Sequence, residues 1–198
     1  MLKMTQGCKI HNPAVLNEGY SKTTSGFVAN VDADKIQILF ENFVKLHNED
    51  CFIILELPTN RKDEELLQPE GITQLHKDVY YLDGLTPQQA CEFLNVFAPW
   101  LIHDGLSSFG IGLHSGSNEI MREKYNVITV YTKDQKQYHD FFETIGINRV
   151  RKLKTAWDFF TADTPGESFT YIHNGKRIYE LLEHLKQYGL YFAERRNA

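Results

Sequence analysis

Between Asp32 and Asn48, the residues Ile36, Leu39, Phe40, Phe43 and Val44 recur at the offsets of one buried helical face. Asp32 stands where a cap belongs. A second helix is predicted to open at Thr86-Pro87-Gln88-Gln89. There Thr86 and Gln89 can form a capping box around a proline in the first helical position, and Pro99 should end or kink the helix. Thr132 and Gln135 repeat that box ahead of an apolar stripe of Tyr138, Phe141, Phe142 and Ile145, with Gly146 as the left-handed cap. A fourth helix carries Ile178, Leu181, Leu182 and Leu185 at the same offsets and stops at Gly189.

The intervals between these helices read as strands. Cys51 to Leu57 (CFIILEL) is nearly all apolar, as a central strand should be. DVYYL, SSFGIGLH and NVITVYT have the β-branched and aromatic content of further strands, and INRVRKL and LYFAE follow capping glycines directly. TNRKDEELLQPEG and TADTPGES, with their Pro and Gly pairs, read as loops. Helices and strands alternate only in part. The expected fold is therefore α+β, or failing that α/β, with a mixed β-sheet and about four amphipathic helices packed on it. Residues 1–198 are expected to form a single globular domain, with 1–30 an irregular N-terminal segment. A chain of this length should bury about 70% of the surface it exposes when unfolded, enough for one generous core.

Composition changes this picture in one respect. Thirteen Phe, ten Tyr and two Trp make the chain rich in aromatic rings, and half-exposed tyrosines suit a binding surface. Cys8, Cys51 and Cys91 are an odd number with no CxxC pair, so free thiols and a reducing compartment are expected. With no apolar run long enough to span a bilayer and no apolar signal-like core at the start, the chain reads as cytoplasmic, without a membrane partner. The net charge of −5 is uneven: positions 141–198 hold 9 basic and 7 acidic residues, against 12 and 19 before them. This weakly basic end lacks the field expected of a nucleic-acid binder.

The segment most suggestive of chemistry is Phe109 to Glu119, FGIGLHSGSNE. As a strand it directs Phe109, Ile111 and Leu113 to one face and Gly110, Gly112 and His114 to the other. The second face is bare backbone, open to close approach by a helix, a neighbouring chain or a ligand. Gly116 then turns the chain, and Ser117 can cap a short helix that has Glu119 near its positive end. Known motifs fail on spacing. Gly110, Gly112 and Gly116 give GxGxxxG rather than a dinucleotide fingerprint, and GLHSG has histidine where a nucleophile elbow needs serine. What remains is a cleft mouth at the strand end, with His114, Ser115 and Glu119 as candidate catalytic groups and Asp158 as a fourth from the 155–169 loop.

No two of the eight histidines lie within five residues of each other, so no local zinc motif exists, and neither metal nor cofactor is expected. Arg149 and Arg151 alternate along INRVRKL, either as a phosphate-binding face or as the positive guard of an edge strand. Trp157 beside Asp158 is a candidate recognition pair, since aromatic anchors dominate interfaces. Ligand or partner contacts are therefore assigned to Arg149, Arg151, Trp157 and Asp158. These features describe a cytoplasmic, non-enzymatic protein that binds another protein or a small ligand, of the kind found among bacterial immunity and regulatory proteins. The alternative is a small hydrolase or transferase whose cleft joins the 110–119 strand end to the 155–169 loop.

Overall fold

The computed structural model describes residues 2–198 and has the expected α+β architecture. Its elements run β1 (Cys8–Lys9), β2 (Gly19–Lys22), β3 (Gly26–Asn30), α1 (Ile36–His47), β4 (Cys51–Pro58), α2 (Arg61–Leu67), β5 (His76–Leu85), α3 (Pro87–His103), β6 (Ser108–Leu113), β7 (Glu119–Arg122), β8 (Val127–Tyr131), β9 (Glu167–Ser168), α4 (Ile178–Lys186) and β10 (Tyr191–Asn197). Eight strands form one sheet in the order β10-β5-β4-β6-β7-β8-β3-β2, and β1 pairs with β9 in a second, two-stranded one. Every named strand pair is antiparallel. The parallel contact is an isolated bridge between Tyr20 and Arg149.

One apolar cluster joins α1, α3 and α4 to the sheet. It unites Leu39, Phe40 and Phe43, Leu94 and Leu101, and Leu181 and Leu185 with Ile53, Leu55, Phe109, Ile111, Ile120 and Ile128. β4 is central, as its sequence implies. The capping box at Thr86 and Gln89 forms, with Thr86 Oγ1 accepting from Gln89 N at 3.3 Å. Pro99 neither ends nor interrupts α3, which continues to His103. Proline removes one backbone donor there, and the buried Ala98, Leu101 and Ile102 around it compensate by packing.

Several expectations give way to tertiary structure. Residues 132–145 form turns and a single 3-10 turn at Glu143–Ile145, not an α-helix. Asp140 adopts φ 63°, which no continuous helix permits. The stripe is nonetheless buried, because Phe142 stacks on Tyr20 at 4.5 Å and Tyr138 meets Phe27 at 5.8 Å. The expected box is replaced by Thr132 Oγ1 accepting from Asp134 N at 3.1 Å while Gln135 reaches across to Thr23 O at 3.0 Å. Residues 119–122 form β7 rather than a short helix, since they complete hydrogen-bonded ladders on both sides. Arg149 lies in an isolated bridge rather than a strand. Residues 2–30 are not irregular throughout, since they supply β1, β2 and β3, and Met1 lies outside the described residues. The charged segment after Thr59 contains α2, capped by Asn60, whose Oδ1 accepts from Asp63 N at 3.1 Å. All three cysteines are free thiols.

Arg122 is fully buried on the helical side of the sheet. Its guanidinium donates to Ser107 O at 2.7 Å, Ile102 O at 2.8 Å and Asp104 O at 2.6 Å, so a cation sits at the carbonyl end of α3, where the helix dipole favours it. The Asp104 carboxylate, also buried, accepts from Leu106 N at 3.1 Å, Ser107 N at 2.8 Å and Tyr171 N at 2.9 Å. Beside this knot Gly7 and Gly105 stand backbone to backbone, so close that a Cβ on Gly105 would lie 1.8 Å from Gly7 O. Arg122→Ala is expected to lower the unfolding free energy by about 3–5 kcal/mol by stranding buried carbonyls. Phe142→Ala should cost a similar amount, about 3–5 kcal/mol. The half-buried Leu182 should cost less than either, and chemical denaturation of the three variants checks the order.

Candidate functional site

Alternation along each strand gives the sheet a second face. On β4 the residues Cys51, Ile53, Leu55 and Leu57 belong to the helical core, which leaves Phe52, Ile54, Glu56 and Pro58 opposite. The apolar cluster on this side is Ile54, Val79 and Met121 with the partly buried Phe52 and Tyr81, and it contains no helical residue. Around it the same parity places Glu119 on β7, Thr129 and Tyr131 on β8, Lys77 on β5 and Arg196 on β10.

Gly110 and Gly112 lie on this face, and the structure shows what their bare backbone admits. A Cβ on Gly112 would stand 2.2 Å from the Phe52 ring; one on Gly110 would stand 2.1 Å from Met121 Sδ and 2.7 Å from Ile120 O. The space is filled by side chains from neighbouring strands, which lie flat across the glycines. The pair therefore shapes the floor of the face.

Above that floor lies a cleft of about 850 Å³. Ile54 and Met121 line its base, Tyr81, Tyr131 and Trp157 its sides, and Glu56, Glu119, Lys77 and Arg196 supply charge. Its charges are unequally matched. Lys77 Nζ lies 2.7 Å from Glu56 and Arg196 Nη1 lies 3.5 Å from it, so Glu56 is doubly paired. Glu119 has no hydrogen-bond or ion-pair partner among the described residues. Burial first, and then the neighbouring Glu56, push its carboxyl above the usual carboxylate range. Burial likewise raises the Tyr131 hydroxyl, assisted by Glu123 and Glu119.

Of the residues singled out by sequence, Glu119 and Trp157 line this cleft. His114 is exposed, with Nε2 3.5 Å from Asp83 Oδ1 and its ring 5.1 Å from Phe52. Ser115 donates its hydroxyl proton to Glu49. Asp158 accepts from Thr155 N at 2.7 Å as a local cap. Arg149 and Arg151 are exposed, Arg149 beside the outer edge of β2. His114, Ser115 and Asp158 thus have separate partners and do not converge with Glu119. Glu56, Lys77, Tyr81, Met121, Tyr131 and Arg196 escaped the sequence reading. The one available signal was Glu56, the single charge in an otherwise apolar strand.

Among the described residues no group of three or more His, Cys, Asp or Glu side chains is placed to hold a metal ion. No helix among them is long and apolar enough to cross a membrane. No family model, curated protein or solved structure matches the chain.

The two floor glycines should respond differently to a side chain. Gly110→Val is expected to be the more destabilising because it meets the Ile120 carbonyl, a backbone atom that cannot turn aside. The nearest atoms that Gly112→Val meets are those of the Phe52 ring, which lines a smaller open pocket beside the cleft. Urea unfolding midpoints of the two variants, measured side by side, test this ranking.

Proposed function

We propose that the protein is a non-enzymatic binding protein that seats a cationic, partly apolar group of a ligand or partner in the cleft on the helix-free face of its sheet. The observation that carries this reading is Glu119, a half-buried carboxylate without a partner above an apolar floor. A carboxylate desolvated in this way destabilises the fold unless a cation meets it, and such perturbed groups concentrate at functional sites. Tyr131 and Trp157 add ring faces that favour a bound cation, while Ile54 and Met121 take an apolar body. Of the cations lining the cleft, Lys77 is turned onto Glu56 and Arg196 onto Glu194 and Glu56, so that Arg196 acts on Glu119 only at a distance and no cation among the described residues forms an ion pair with it. Three free thiols support a cytoplasmic location. The hydrolase or transferase reading draws no support from His114 and Ser115, whose side chains engage Asp83 and Glu49 instead of each other.

Phenethylammonium provides an aryl body and a cation, and its neutral analogue 2-phenylethanol lacks the charge. In methyl and amide NMR spectra, the ammonium is expected to shift Ile54, Met121, Tyr131 and Trp157 and to bind more tightly than the alcohol. Equal binding of both, or shifts confined to the helical side, would overturn the reading.

Glu119 also links binding to stability. Its folded pKa is raised, so the stability contributed by its protonated form is full below the unfolded value and is lost as pH rises through the folded one. Glu119→Gln, neutral throughout, is expected to raise the melting temperature at neutral pH and to change it little below the ordinary carboxyl pKa of 4.5. The same variant should lose the preference for the ammonium. A melting temperature lowered at neutral pH would contradict this account.

A further inference from the structure

The chain carries a net charge of −5, yet one rim of its large sheet collects lysines. A depression of about 1010 Å³ opens there, between the tip that joins β2 to β3 and the segment that leaves β8. Lys22, Lys133 and Lys136 line it, together with the hydroxyl-bearing Thr24, Ser25 and Thr132. The two loops are fastened to each other. Thr132 N donates to Ser25 O at 2.9 Å, and Gln135 Nε2 crosses to Thr23 O at 3.0 Å, so the backbone that carries the lysines has a set placement. Lys22 is also steadied by the Phe27 ring, whose centre lies 5.9 Å from its ammonium.

We propose that this depression is an anion site, which seats the phosphate group of a small molecule among the three lysines. Their charges are not used within the chain: the lysine ion pairs among the described residues belong to Lys3, Lys35, Lys45, Lys77 and Lys186. The one acid that lines the depression, Asp134, is engaged in its own loop, where Oδ1 accepts from Lys136 N at 3.1 Å. Three cations against one carboxylate leave the depression positive. Like charges held in one concavity repel each other, and a dianion that enters relieves them. Ammonium groups act on a phosphate as point charges, and hydroxyls add donors to its oxygens. The amides of Thr24, Ser25 and Lys133 add more, since they donate to no other group among the described residues. No arginine fork, the usual partner of a planar carboxylate, lines the depression. Tyr131, 39% exposed, is the wall shared with the cleft, and its ring offers a surface to the organic part of the ligand.

Amide NMR spectra of the full chain, titrated with phenyl phosphate, inorganic phosphate and sodium chloride at matched ionic strength, read the site directly. Saturable shifts at Thr24, Ser25, Lys133 and Lys136 are expected from both phosphates and not from chloride. Phenyl phosphate should bind more tightly and also shift Tyr131; equal binding of inorganic phosphate would assign the site to the free anion and overturn the role given to that ring. Lys133→Gln combined with Lys136→Gln is expected to weaken phenyl phosphate binding by about tenfold or more. Both side chains are exposed, so the melting temperature of this variant should stay close to that of the wild type. Shifts that chloride reproduces, shifts that never saturate, or an affinity that the double variant leaves unchanged would each overturn the proposal.

Discussion

A guanidinium sealed from water must take its acceptors from inside the protein, and the two terminal nitrogens of Arg122 take theirs from three carbonyls at the end of α3 and in the turn that follows, while Nε has no partner. That demand fixes the orientation of the longest helix relative to β7, on which Arg122 sits, and to β6, which begins just beyond Ser107. Asp104 extends the same restraint outward by accepting the amide of Tyr171. A helix end, two strands and the returning C-terminal segment thus share one polar centre within an otherwise apolar core. Its geometry is unforgiving because a lone buried cation is far costlier than the hydrogen bonds that surround it are strong.

With α3 held in place, α1 and α4 complete a single layer, and every helix in the main core lies on one side of the sheet. The opposite side needs a different solution. It keeps a small apolar patch, lowers its profile with two glycines and lays Phe52 and Met121 across them. The charged rim then follows from strand parity, since Glu56, Lys77, Glu119 and Arg196 occupy alternate positions whose neighbours point to the helices. One-sided packing therefore creates both the core and the cleft.

Much of the helical layer was legible in the chain. The stripe from Ile36 to Val44 and the capping box at Thr86 report on local energetics alone, and they survive folding intact. Residues 132–145 carry an equally good stripe but not a helix, because Tyr138 and Phe142 gain more by packing around Tyr20 and Phe27 than the backbone gains from continuous hydrogen bonds. α2 was hidden for the opposite reason: its sequence is charged all round, and it is anchored by Glu64, which accepts from His76 N and Nδ1 at 2.6 and 2.8 Å. Glu119 and Trp157 stood out because they flank recognisable turns. The rest of the cleft belongs to strands far apart in sequence, and only the order of those strands in the sheet brings Glu56 and Arg196 together.

The contact between Gly7 and Gly105 bears on how the chain acquires its shape. Gly7 N donates to His103 O at 2.8 Å, Phe169 N to Gly7 O at 2.9 Å and Gly105 N to Phe169 O at 3.0 Å, so three remote stretches of backbone are clasped through two residues without side chains. Closing loops of such length is entropically unfavourable until the intervening chain is already compact. The clasp therefore shares the long loop closures of the β3–β8 and β10–β5 pairs, and it forms only when the N-terminal segment, the end of α3 and the chain around Phe169 are brought together.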